Sequence, residues 1–418
     1  MQSKLIKNSS IYLLSNICVT ALPLIFLPVL TRFLEPHEYN TIAIFQSLML
    51  FCGALFGFSV NGYCNIKYFE LNENIERFSI FLSNCLFLLF SMALFVTALA
   101  LFFFFLKVDF FGIDGGVYFL IPLGFLCQYV IYIRLGVYQV KGLSKKYGFL
   151  SLFNASINII ITVVLVVYFE SGYLGRIVGI LSGLVIVAIY SLYSLHRENL
   201  INNSISLESL RLIVRYGLSY APVIVLATFI PLLERLIVSS KLGADLGGVF
   251  IVATQISNGV LLILSSIATA YTPLVYKRLS ICEDDSLIRK TLIIEVFVFA
   301  FLIAISALLI ALDIPKTVLT FILPETYFDA IDLSILLTFA IVMKFGFIMW
   351  SIYLTYEKKN MYLSLVNLFF GFLGALILYT QLDYYGLQFV GYVSIFLKVT
   401  SSIIMFLFVY FKFFKKSH

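Results

Sequence analysis

Apolar residues run through the chain in twelve long stretches, each closed by a short polar or charged one: 9–31, 41–63, 78–106, 117–139, 149–169, 174–195, 216–238, 248–273, 291–312, 331–353, 362–380 and 387–411. A helix crosses a bilayer with about 20 predominantly apolar residues. In hydrocarbon every backbone N–H and C=O must be bonded within the chain, so stretches of this length are read as helices. No connection between them much exceeds twenty residues, which leaves no room for a soluble catalytic or nucleotide-binding domain.

Composition agrees. Hydrophobic residues make up 61% and charged residues 12% of the 418, against about 25% charged in a soluble domain. The expectation is an all-α polytopic membrane protein. The net charge of +6 is no nucleic-acid signal, because the basic residues cluster in the short connections. The first run follows Lys4 and Lys7 as a secretory signal would, but it is long, contains two prolines and has a partner in mid-chain. It is therefore read as a retained helix. Cys18, Cys52, Cys64, Cys85, Cys127 and Cys282 form no CxxC pair, and His37, His196 and His418 are far apart, so no metal cluster is expected.

The charges orient the chain. With the N-terminus inside, the cytoplasmic segments hold Lys4, Lys7, Lys67, Arg77, Lys141, Lys145, Lys146, Arg197, Arg211, Arg215, Lys277, Arg278, Arg289, Lys290, Lys358, Lys359, Lys412, Lys415 and Lys416. The opposite side holds only Arg32, Lys107, Arg176, Lys241 and Lys316. Positively charged loops stay in the cytoplasm, so both termini are expected inside.

An internal repeat is also legible. PLIFLPVLTRFL near the start resembles PLLERLIVSSKL in the stretch Tyr216 to Lys241, with Pro231 lying 208 residues after Pro23. LSLFN at Leu150–Asn154 matches LSLVN at Leu363–Asn367, and Lys145-Lys146 matches Lys358-Lys359, both at an offset of 213. Arg134-Leu-Gly matches Lys344-Phe-Gly at 210. Six spans per half is an even number, so both halves enter the membrane from one side. That is a parallel repeat, a plan used by secondary transporters, and it divides the chain into 1–200 and 201–418. The glycines at 53 and 57, and at 175, 179 and 183, recur every four residues and are read as helix-packing positions.

Four basic residues remain inside the spans: Arg134, Arg235, Lys344 and Lys398. They face two acids, Glu234 and Glu295. An ion in hydrocarbon costs roughly 2.5 to 3.5 kcal/mol on insertion scales, so such residues face a protein interior or a wet cavity. Lys344 and Lys398 are mid-span and cannot snorkel. Arg134 is nearer the cytoplasmic end. Glu234 and Arg235 are adjacent, about 100° apart on a helix, and are not expected to face one cavity together. A basic interior attracts an anionic ligand such as a phosphate. The chain has no GxxxxGK[ST], GxSxG or HExxH signature, so it is read as a transporter, not an enzyme, with any energy drawn from an ion gradient or from product removal.

The opening KNSSIYLLSN…LPVLTRFLEPHEYNTIAIFQS resembles the polysaccharide-export flippases, Wzx-type, of the superfamily that also contains multidrug-and-toxin extruders and the lipid II flippase. Leu30, Thr31, Arg32, Leu34, Pro36 and Tyr39 follow that family's opening pattern, with Asn40 where Gly is usual. A second segment, ERLIVSSKLGADLGGVFIVATQIS, is similar through Glu234, Arg235, Val238, Leu242, Gly243, Gly248, Phe250 and Ala253. The resemblance implies twelve helices in two six-helix bundles around a central cavity. It implies flipping of an undecaprenyl-pyrophosphate-linked oligosaccharide to the periplasmic leaflet of a bacterial inner membrane, for O-antigen, lipopolysaccharide or capsule, by alternating access. On this reading Arg134, Arg235, Lys344 and Lys398 hold the anionic headgroup and Glu234 or Glu295 couples to protons or sodium, without a cofactor. A polysaccharide polymerase and a chain-length regulator are the implied partners. The rivals are an ion-coupled multidrug antiporter, which would want central acids that the first six spans lack, and a membrane glycan polymerase. The polymerase would want a long basic outer loop, whereas 313–332 holds only Lys316.

Overall fold

The computed structural model describes residues 2–71, 74–106, 115–202, 204–281 and 285–414. Lys107, Cys282, Lys415, Lys416 and His418 lie outside the described residues. The described residues form helices and short connections, with no strand among them. In order they are α1 (Gln2–Ile25), α2 (Leu27–Phe33), α3 (Pro36–Phe56), α4 (Val60–Glu70), α5 (Ile75–Phe105), α6 (Gly115–Tyr118), α7 (Leu120–Val140), α8 (Ser144–Val163), α9 (Gly172–Arg197), α10 (Leu207–Leu242), α11 (Ala244–Ile281), α12 (Asp285–Ala311), α13 (Ile314–Ile322), α14 (Asp329–Tyr356), α15 (Asn360–Tyr385) and α16 (Gln388–Phe414). Eleven stretches are long and apolar enough to cross a membrane, and a twelfth follows if the two pieces of α10, Leu207–Pro222 and Ile224–Leu242, make one span. These match the twelve sequence runs.

Where the helices depart from the runs, local chemistry gives the reason. The run 41–63 is split: α3 stops at Phe56, and α4 starts after Phe58 and Ser59, which both take positive φ. Gly57 sits so close to the Tyr129 ring that any Cβ there would overlap it, and Phe58 lies against Gly217. The chain turns where the Tyr129 ring packs on bare backbone at Gly57 and where the backbone of Phe58 packs on bare backbone at Gly217. Prolines act as expected on helices that lose a backbone donor. The first span breaks around Pro23 and Pro28 into α1 and α2, and α10 is interrupted at Pro222 and contains Pro231. The stretch 313–332, read as an outer loop, contains α13 and one 3-10 turn.

Contacts divide the chain into two compact units. Unit 1 is Met1–Leu34 with Thr41–Leu232, and unit 2 is Glu35–Asn40 with Leu233–His418. The division differs from a break at residue 200, because the first part of α10 packs with unit 1: Tyr216 stacks on Tyr63 of α4 at 4.1 Å, and Ile213 is fully buried beside Phe78 and Val137. In unit 1, α7 packs on α9 and α8 packs on both α9 and α1. Gly179 and Gly183 of α9 lie against Thr162 and Asn158 of α8, so that pair approaches at backbone distance. In unit 2, α14 is the most enclosed helix, packed on α16 and α11. Its Phe345, Phe347, Trp350 and Tyr353 are buried. By contrast α12 presents Phe297, Phe301 and Leu308 outward, as a lipid-facing helix does.

The two segments that carried the resemblance meet inside unit 2. A Cβ on Gly248 would collide with the Pro36 carbonyl, Tyr39 Oη donates to Gln255 Oε1 at 3.1 Å, and Asn40 Nδ2 donates to Ser239 Oγ at 2.8 Å. That gives the pattern residues a packing role and gives Asn40 a partner that glycine would not have.

Candidate functional site

The intramembrane charges fall into two groups of different character. Arg134 stands on α7 in unit 1, and Glu234, Arg235, Lys344, Lys398 and Glu295 stand in unit 2.

Arg134, expected to face substrate, is 0% exposed. Its guanidinium donates to Tyr138 Oη at 3.0 Å, to Ser194 Oγ at 2.6 Å and to the Glu198 carboxylate, and it lies 4.0 Å over the Tyr138 ring. Lys141 Nζ donates to the other Glu198 oxygen at 2.8 Å. Arg134, Tyr138 and Lys141 follow i, i+4, i+7 spacing, so α7 presents them on one face, while α9 ends by delivering Ser194 and Glu198. Burial pushes the Glu198 carboxyl upward, but hydrogen bonds from Arg134 and Lys141 outweigh it and hold the group down at about 2. The arrangement neutralises a charge where the helix cannot expose it.

The unit 2 group is not neutralised in this way. Lys344 of α14 and Lys398 of α16 are within Coulombic range of each other and of Glu234, and Glu234 is also in range of Arg235. All four side chains are half-buried. Among the described residues neither lysine is in an ion pair. The adjacent Glu234 and Arg235 thus share one electrostatic neighbourhood, although their helical directions differ. Two like charges held in adjacent spans repel at low dielectric, so the backbone must hold them there. Ser402, one turn after Lys398, does so: its Oγ accepts from Phe347 N–H at 3.1 Å and donates to the Met343 carbonyl at 2.7 Å. Those are the groups flanking Lys344 that i, i+4 pairing would otherwise join. A buried hydroxyl therefore ties α16 into the backbone of α14 beside both lysines.

Glu295 is apart from the lysines. It is 5% exposed, and Tyr271 and Tyr353 donate to the same carboxyl oxygen at 2.9 and 2.8 Å. Its other oxygen is buried without a hydrogen-bond partner. No group of His, Cys, Asp and Glu among the described residues could hold a metal ion.

A family model described as polysaccharide biosynthesis protein matches residues 5–279, well over half of the chain. The chain belongs to that polysaccharide biosynthesis family. No curated protein matches it. Among solved structures it is similar to an inward-facing multidrug resistance MATE family transporter of the MOP superfamily, at TM-score 0.75 and 15% identity over 95% of this chain and 96% of that one. The outward-facing form of such a transporter matches at TM-score 0.63 and 15% identity, over 98% and 97%. A MOP superfamily transporter from Pyrococcus furiosus, described as having a binding pocket of reverse polarity, matches at TM-score 0.62 and 15% identity, over 98% and 95%. At these identities the likeness is one of fold. Fold and family together make this a multi-pass helical membrane protein of the polysaccharide biosynthesis family, with the fold seen in those transporters.

The intramembrane charges of this family member are legible in its sequence, and their partners are not. Glu198 went unnamed because it follows an apolar run and looks like ordinary loop charge. The spacing of Arg134, Tyr138 and Lys141 was the available signal. Ser402, Tyr271 and Tyr353 left no trace, since serines and tyrosines abound in the spans.

Proposed function

We propose that this protein flips an undecaprenyl-pyrophosphate-linked oligosaccharide repeat unit from the cytoplasmic to the periplasmic leaflet of a bacterial inner membrane, for surface polysaccharide assembly. The observation that carries the reading is the pair Lys344 and Lys398, held in adjacent spans and, among the described residues, without an ion pair and with the Glu234 carboxylate in range. Such a pair is costly in the empty protein and is relieved by an anion. A pyrophosphate supplies two or more negative charges. Membership of the polysaccharide biosynthesis family supports a glycan cargo. The neighbour described as having a reversed pocket polarity supports the idea that this fold serves cargoes of different charge.

In this mechanism the headgroup enters from the cytoplasmic side while the polyprenyl tail stays in lipid, and Arg235, Lys344 and Lys398 hold the phosphates. Arg134 fixes the ends of α7 and α9. Glu295 carries the coupling ion, since its second oxygen has no protein partner. Glu295→Gln keeps the shape and removes the titration; its expected result is export that no longer responds to the proton or sodium gradient. An unchanged response would remove Glu295 from the mechanism.

Deletion in the native host tests the function directly. The expected result is loss of surface polysaccharide on a gel, with single lipid-linked repeat units accumulating on the cytoplasmic leaflet. Intact polysaccharide with altered resistance to toxic cations would instead assign the chain to the multidrug antiporters. Units accumulating on the periplasmic face would mean failed polymerisation and would overturn the flippase reading.

A further inference from the structure

A second basic cluster lies in unit 1. A cavity of about 550 Å³ opens between the end of α7, the start of α8 and the end of α9. Tyr138, Phe149 and Tyr190 form its walls, and Lys145, Lys146 and Arg197 its rim. We propose that this cavity binds the phosphate group of an anionic membrane lipid.

Exposed lysines on a cytoplasmic face follow from topology alone, and three features go beyond that. First, the charges line a concavity whose volume lies within the usual range of ligand sites. Second, Glu198 is the single carboxylate among the lining residues, and Arg134 and Lys141 already hold both its oxygens. Lys145, Lys146 and Arg197 are exposed and, among the described residues, make no ion pair. Third, Lys145 and Lys146 stand in the first turn of α8, a 20-residue helix whose N-terminus no side chain caps, so its positive end adds to theirs. The phosphate would sit among Lys145, Lys146 and Arg197 at the membrane surface. Tyr190 and Phe149, both exposed, would flank the glycerol and upper acyl carbons. Juxtamembrane cations and interfacial aromatics are the groups that suit those two parts of a lipid.

The test is native mass spectrometry of the delipidated full-length chain, titrated with phosphatidylglycerol and, separately, with inorganic pyrophosphate. Phosphatidylcholine serves as the zwitterionic reference. One tightly held phosphatidylglycerol per chain is expected. The triple variant Lys145→Gln, Lys146→Gln, Arg197→Gln should weaken it roughly a hundredfold, at about a factor of five per cation. Arg211→Gln with Arg215→Gln removes two same-side charges outside the cavity and should leave binding within twofold of wild type. Tight binding of pyrophosphate, lost in the triple variant, would keep the phosphate site and assign it a soluble source. Equal affinity in the triple variant and wild type overturns the proposal. So does an equal loss in the Arg211/Arg215 variant, which would mean diffuse surface attraction. Circular dichroism checks the fold, and should the triple variant not fold, Lys146→Gln alone carries the test at roughly fivefold.

Discussion

Arg134 and Lys344 occupy matching places in the two halves, each followed by an apolar residue and a glycine, each on the helix most enclosed in its unit. Their surroundings are opposite. Around Arg134 the protein supplies a carboxylate, a serine and a tyrosine face, and closes over the charge completely. Around Lys344 it supplies a second lysine and leaves both half-buried. The same repeat position thus became a buried strut in one unit and, in the other, a cation that Glu234 offsets only in part. A buried ion pair gives little net stability but is costly to break, whereas an unpaired cation pair costs stability until something anionic arrives.

The largest effect expected is on transport. Lys344→Gln or Lys398→Gln should abolish polysaccharide export while membrane protein level and melting temperature stay at or above wild type, because one like charge is removed. Normal export by both variants would break the comparison at its functional end. Glu198→Ala should do the reverse. It strands Arg134 as a buried uncompensated cation and should cost about 3 kcal/mol, seen as a lower unfolding midpoint in detergent. A midpoint within experimental error of wild type would mean the Arg134 pair holds nothing.

Acid gives a sharper version of the same contrast. The Glu198 carboxyl is held at about 2 in the folded chain against 4.5 in its absence of partners. A depressed carboxyl contributes stability that is fully present above 4.5 and is lost as pH falls from 4.5 toward 2. Thermal midpoints should therefore show a component of acid loss in that window that Glu198→Gln lacks. Identical acid profiles for the two proteins would count against the pair. The smallest effect is expected for Ser402→Ala. Met343 C=O and Phe347 N–H can then pair directly, so the cost should be about 1 kcal/mol or less. Export should fall severalfold as α14 and α16 lose their register beside the two lysines. Unaltered export would show that packing alone fixes the lysine pair.

The sequence by itself determined that this is a helical membrane protein with about twelve spans, which charges lie in the membrane and which short motifs carry its family resemblance. The reason is solvent: hydrocarbon forces an apolar run of span length to be helical and makes each interior ion expensive, so both are visible as departures in one dimension. What an interior ion meets is not written nearby. Glu198 reaches Arg134 from 64 residues away and Ser402 reaches Met343 from 59, through hydroxyls and carboxyls that look like any others in the chain. Only the tertiary structure decided that Arg134 is neutralised, that Glu234 shares a neighbourhood with both lysines, and that α10 changes unit near Pro231. Each depends on which helix faces are brought together, and helix packing is set by side-chain shape over the whole unit rather than by local pattern.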